Sequence, residues 1–183
     1  MKSARLFVAL LLISLSATAF AQSDADKSFT QLKTLDGTWE GKVTTDVPMG
    51  PPGSENDPIH VSLRTTSRGH ALLHEIIPTK SPDHPVTMMY LEGDQLMLTH
   101  FCDAGNRPRM RGKLSPDGKS VGFEFVDVAG PLQHGHMHDA KFTFIDADHH
   151  AEDWTFMMDK QTVHAHFDLH RVNAAAQKSG TGR

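Results

Sequence analysis

The chain has 183 residues, 38% of them hydrophobic, and a formal net charge of −4, enough for one domain with a proper core and too little for two ordinary ones. The acidic balance argues against nucleic acid and anionic membrane as partners, since both select for clustered Lys and Arg. Cys102 alone cannot form an internal disulfide, while 13 histidines against one tyrosine raise metal, haem and pH sensing as classes of function.

Residues 1–21 pair two cations, Lys2 and Arg5, with an apolar run from Leu6 to Leu15 and a small-x-small end at Ala19-Phe20-Ala21. This is the pattern of a secretory signal peptide, and the run is too short to span a bilayer, which takes about 20 residues. Cleavage after Ala21 would leave 162 residues carrying a charge of −6, an exported protein of the periplasm or the medium with no later membrane insertion.

From Asp24 to Leu35, Phe29, Leu32 and Leu35 recur at helical spacing behind Asp26 or Ser28 as a cap, which predicts one short helix. The period then becomes two. Extended segments are predicted at 38–46, 58–66, 70–77, 86–91, 95–102, 107–114, 119–127, 138–146, 151–159 and 161–172. Glu92-Gly93-Asp94 and Ser115-Pro116-Asp117-Gly118 are hairpin turns by composition. Two connections are long: 46–58, whose prolines and glycines suggest a mobile flap at one mouth, and 128–139. The tail 173–183 has the composition of a disordered segment.

Ten consecutive, mostly short-linked strands have one economical solution, an all-β antiparallel up-and-down barrel spanning 22–172, because closure removes the sheet edges. A two-sheet sandwich is the rival, and Greek-key crossovers would need longer links.

The short helix followed by Gly37-x-Trp39-x-Gly41 resembles the opening of lipocalin-like (calycin) barrels, in particular the nitrobindin-like and fatty-acid-binding-like branch, and exported bacterial lipocalin-like proteins of unknown function. The resemblance implies a ten-stranded barrel with Trp39 closing its floor and, for nitrobindins, haem held by a histidine near the C-terminal end. Nitrobindins favour a further glycine where this chain has Val43, a departure that puts haem transfer in doubt.

Alternation assigns faces. Phe123 and Phe125, Phe142 and Phe144, and Trp154, Phe156 and Met158 are expected inside, with Glu152 on the face of Trp154. In the last strand Val163, Ala165, Phe167 and Leu169 face in, so His164 and His166, the positions a haem axial ligand would take by the resemblance, face out. For the fifth strand both faces are acceptable as interior, and alternation leaves the inward one open.

The end of the fifth strand and the start of the eighth fall at one mouth, where His100, Cys102, Arg107, Arg109, His136 and His138 can gather. They read as ligands for zinc or copper (His100, Cys102, His136 and His138), as the polar lining of an organic-ligand site with an arginine for a carboxylate, or as structural groups. No catalytic constellation is signalled. His74-Glu75 lacks the second histidine of a zinc-protease helix, Gly118-Lys119-Ser120 sits in a turn, and Glu124 and Glu152 take opposite faces. The expected function is binding of a small amphipathic ligand, with a haem or metal protein of nitrobindin type and a filled structural or interaction barrel as alternatives. Oligomeric state is not legible.

Overall fold

The computed structural model describes residues 22–47, 57–78, 84–159 and 161–172. The expected signal peptide (1–21), the expected tail (173–183) and residues 48–56 of the expected flap lie outside the described residues. One helix, α1 (Asp24–Lys33), precedes ten strands: β1 (Gly37–Thr45), β2 (Ile59–Thr66), β3 (Ala71–Pro78), β4 (Val86–Glu92), β5 (Gln95–Phe101), β6 (Arg107–Leu114), β7 (Ser120–Ala129), β8 (His136–Phe144), β9 (His149–Met158) and β10 (Gln161–Arg171).

Every strand pairs antiparallel with its sequence neighbours, and β1 pairs with β10, so the sheet closes into a ten-stranded up-and-down barrel. The sandwich is therefore excluded. Closure needs β1 and β10 to approach closely at Gly41: a Cβ there would fall 1.8 Å from the Asp168 carbonyl oxygen, so only glycine fits. The predicted turns form, with Gly118 at φ +71° and its N–H bonded to the Ser115 carbonyl at 2.9 Å.

The connections differ from expectation in one place. β7 runs on to Ala129 and β8 begins at His136, so the second long connection shrinks to residues 130–135. The gap between β3 and β4 falls where the predicted segments left it, because β3 ends at Pro78 and β4 begins at Val86.

Helix α1 seals the end of the barrel where β1 starts and β10 finishes. Phe29, Leu32 and Leu35 are buried in the same core as Trp39, Leu63 and Leu96, and α1 packs against β4, β5 and β6. Its cap is Ser23, whose Oγ accepts the Asp26 N–H at 3.0 Å, rather than Asp26 or Ser28. Ser28 lies inside the helix, its hydroxyl donating to the Asp24 carbonyl. Trp39 is fully buried, donates its indole N–H to the Leu35 carbonyl at 2.8 Å and lies under the Arg171 guanidinium. The chain thus makes a barrel floored at one end by α1 and Trp39. Among the described residues no helix is long and apolar enough to cross a membrane.

Candidate functional site

Cross-strand register decides what faces the lumen. Phe142, Glu152 and Phe167 are register partners, as are Ala140, Trp154 and Ala165, and His150 lies between Phe144 and Leu169. On the opposite wall Leu63, His74, Thr87 and His100 form one row. Closing the barrel carries His74 across the lumen to Glu152, 78 residues away in sequence. The Glu152 carboxylate accepts from His74 Nε2 at 3.0 and 3.2 Å, from His150 Nε2 at 3.0 Å and from the Trp154 indole at 2.9 Å. Burial alone would raise its pKa, but attraction to His74 and the hydrogen bonds from His150 and His74 outweigh it, holding the carboxyl well below the usual range. Glu152 is ionised and saturated with donors.

The bonds made by Nε2 place the proton there in both imidazoles, leaving each Nδ1 buried without a partner. His74, His150 and Glu152 are completely buried. No solvent-borne molecule touches them, so the cluster crosslinks the lumen rather than handling substrate. In the same row as His74, His100 Nδ1 shares a hydrogen bond of 2.8 Å with the Thr87 hydroxyl, and its ring lies 5.7 Å from that of Trp154. Burial, reinforced by His74, lowers the His100 pKa to about 4, so this ring is neutral.

The open end is built differently. β7 pairs with β6 over eight positions but with β8 over only four, ending at Phe123–Ala140. β8 is bulged between Met137 and Asp139, which frees its first residues from β7. In the gap Phe125 stacks on His138, with centroids 4.6 Å apart and planes 19° apart, and lies 5.0 Å from His136. His138 Nδ1 and His136 Nε2 approach to 3.4 Å. Phe125, His136, Met137, His138 and Phe156 are only half-buried, unlike the sealed interior below them. Burial and the neighbouring His138 both lower the His136 pKa.

Of the positions singled out from sequence, Phe123, Phe142 and Trp154 are fully packed lumen residues. Phe144 is half-buried against the core near the floor, and Met158 ends β9 at the rim, 41% exposed. In β5 the lumen face is Leu96, Leu98 and His100; Met97, on the other face beside Tyr90 and Arg111, is also buried, which is why alternation could not decide. Cys102 leaves the strand for a turn whose ends are tied by its N–H to the Asn106 carbonyl, and burial pushes its thiol pKa up, away from the thiolate a metal needs. With Arg107, Phe101, His84 and Asn106 it borders a shallow groove of about 370 Å³ outside the lumen. Met110 takes the inward place in β6, so Arg109 turns outward and binds Asp127 with two bonds, at 2.9 and 2.6 Å. The quartet His100, Cys102, His136 and His138 is not gathered: among the described residues the group of three donors within 4.8 Å of one another is His149, Asp168 and His170.

Two features were missed from sequence. The first is the His74–Glu152–His150 cluster, although alternation in "ALLHEIIP" places His74 between Leu72 and Ile76 on the lumen face. The second is Asn106, fully buried, whose amide donates to the carbonyls of Pro131 at 2.9 Å and Gly135 at 2.6 Å. It pins the β5–β6 turn to the β7–β8 loop and so holds the rim around Phe125.

The barrel itself has solved relatives. One is a protein of unknown function from the DUF3598 family of Nostoc punctiforme, with a TM-score of 0.54 and 15% identity over 77% of this chain and 48% of that one. Another is Rv2717c from M. tuberculosis, also at a TM-score of 0.54 and 15% identity, over 80% of this chain and 98% of that one. The chain thus spans about half the length of the Nostoc protein and nearly all of Rv2717c, and the likeness is one of fold. No family model and no curated protein matches the sequence.

The haem that the nitrobindin resemblance implies does not fit through β10. Its lumen face is Val163, Ala165, Phe167 and Leu169, while His164 and His166 are exposed on the outer wall, His166 bonded to Asp153 at 2.6 Å. At the level of Glu152 the lumen is crossed by the His74–Glu152 hydrogen bond among buried Phe142, Trp154 and Phe167, the space a macrocycle there would need.

Proposed function

We propose that this chain is an exported barrel that binds one small amphipathic molecule in the open end of its lumen. The observation that carries this reading is the ring cluster of Phe125, His136 and His138, left half-exposed where β8 parts from β7. An apolar, preferably planar, body would rest against Phe125 and Phe156, and a polar head would hydrogen-bond to the imidazoles of His136 and His138. The crosslinked rows below set the depth of the pocket, so a long acyl chain is excluded and a compact ligand favoured. Arg107, on the rim, is available to an acidic group, whereas Arg109 is committed to Asp127. The acidic surface and the leader-like first residues support a small molecule in the cell envelope as partner, rather than nucleic acid.

A second reading is favoured by the density of packing: Trp39, Leu63, His74, Phe142 and Glu152 leave the floor half solid, as in a barrel that serves only through its outer surface. Titration with anilinonaphthalene sulfonate, a compact amphipathic probe, separates the two. Saturable binding that falls about tenfold or more in both Phe125→Ala and His138→Ala, each removing roughly 1.4 kcal/mol or more, supports the rim pocket. Absence of binding, or binding indifferent to both changes, supports the filled barrel.

A further inference from the structure

The outer wall holds a second group of imidazoles that the rim pocket does not use. Alternation in "QTVHAHFDLHR" turns His164, His166, Asp168 and His170 of β10 outward, and β9 turns His149, Asp153 and Thr155 to the same side. Antiparallel register sets His149 directly opposite His170 and places Asp168 two residues back from His170 on the same face. His149 Nε2 and Asp168 Oδ1 meet at 2.5 Å, and the rings of His149 and His170 stack with centroids 4.1 Å apart. One donor atom from each of the three lies within 4.8 Å of the others. The nitrogens of His170 make no hydrogen bond among the described residues, so its lone pair is uncommitted.

We propose that His149, Asp168 and His170 bind one divalent transition-metal ion of the zinc or copper type on the outer wall of the barrel. Two imidazole nitrogens and one carboxylate oxygen suit such ions, whereas calcium and magnesium prefer all-oxygen sets. The donors stand on paired strands and need only rotations about short side chains to close to metal-ligand distances. Glu40 of β1 is the register partner of His170 on its other side and is placed to add a fourth ligand; Lys42 is the register partner of Asp168.

Binding requires the lone pair of His149 Nε2, so its proton must move to Nδ1. The other titratable groups on this face are Glu40, Lys42 and His60 towards β2, Asp153 with His166 one rung beyond Ala151, Lys141 beside Asp153, and His164 opposite Thr155. None of them is among the three donors gathered within 4.8 Å.

The experiment is a calorimetric titration of the untagged protein with Zn²⁺ at pH 7.5, repeated with Co²⁺ followed in the visible. The expected result is one saturable site, weakened about tenfold or more in His149→Ala and in His170→Ala and unchanged in His166→Ala. Cobalt d–d bands should be present in the parent and lost in the first two variants. Asp168→Asn, which keeps the shape of the side chain, guards against a fold defect and should also weaken binding. No saturable site, or one that survives both His149→Ala and His170→Ala, overturns the assignment. So does a site lost equally in His166→Ala, which would place the ion on the neighbouring His166–Asp153 pair.

Discussion

Acid should destabilise this barrel through His100 before it protonates any carboxylate. The ring is buried, hydrogen-bonded to the Thr87 hydroxyl and has a folded-state pKa of about 4 against 6.5 in the open chain. Between those values the unfolded chain binds a proton that the folded one refuses, so stability rises with pH across this window and is lost on acidification. A tenfold difference in proton affinity between the two states is worth about 1.36 kcal/mol. The loss from pH 7 to pH 5 is therefore about 2 kcal/mol, approaching about 3 kcal/mol near pH 4. That is a large share of a typical folding free energy of about 5–15 kcal/mol. Urea unfolding at pH 7, 6 and 5 reads it directly, as a fall in midpoint of about 1 M for an m-value near 2 kcal/mol/M. In His100→Gln, which keeps a polar partner for Thr87, the fall should shrink by about 2 kcal/mol, even if the variant starts lower. The surface pairs His149–Asp168 and His166–Asp153 are common to both proteins and cancel in the difference. Equal pH slopes in the two proteins, or an NMR titration placing His100 near 6.5, would refute the reasoning.

Glu152→Gln removes the charge that three N–H groups share and turns an amide donor towards at least one of them; urea unfolding should show a loss of about 3–5 kcal/mol, and a change under about 0.5 kcal/mol would deny the cluster its crosslinking role. Because the Glu152 pKa is depressed, its contribution is present above the open-chain value of 4.5 and is lost as pH falls below it, a second acid phase under that of His100. Gly41→Ala must push β1 off β10 at the Asp168 carbonyl, costing about 3 kcal/mol and speeding amide exchange at Val43 and Leu169 relative to β6. Asn106→Ala breaks both bonds to the β7–β8 loop, at about 1–3 kcal/mol, and should show first as limited proteolysis in residues 130–135.

The architecture was legible because turns and alternation are local: Gly93 and Gly118 mark hairpins, and the inward rows of β2, β7 and β10 are visible as every second apolar residue. The inward row of β5 was not, since Met97 is covered on the outside of the barrel as fully as its neighbours are on the inside. Contacts across the lumen escape any one-strand pattern. His74 and Glu152 sit on opposite walls, and only closure tells that a charged residue among Phe142, Phe167 and Trp154 has its partner four strands away. A sharper use of the same rule would have found them, because an inward carboxylate demands an inward donor and β3 supplies one histidine on that face. The bulge at His138 has no sequence mark, and it is what gathers Phe125, His136 and His138 at the rim.

The seam between β1 and β10, tied further by the Val172 N–H on the Thr38 carbonyl, brings the two extremities of the barrel side by side at its floor, on the side away from the ring cluster. A fused reporter or a surface tether attached there would leave the mouth unobstructed. The same adjacency makes the barrel a subject for circular permutation, with a linker from the end of β10 to the start of α1 and new termini cut at the Gly118 hairpin.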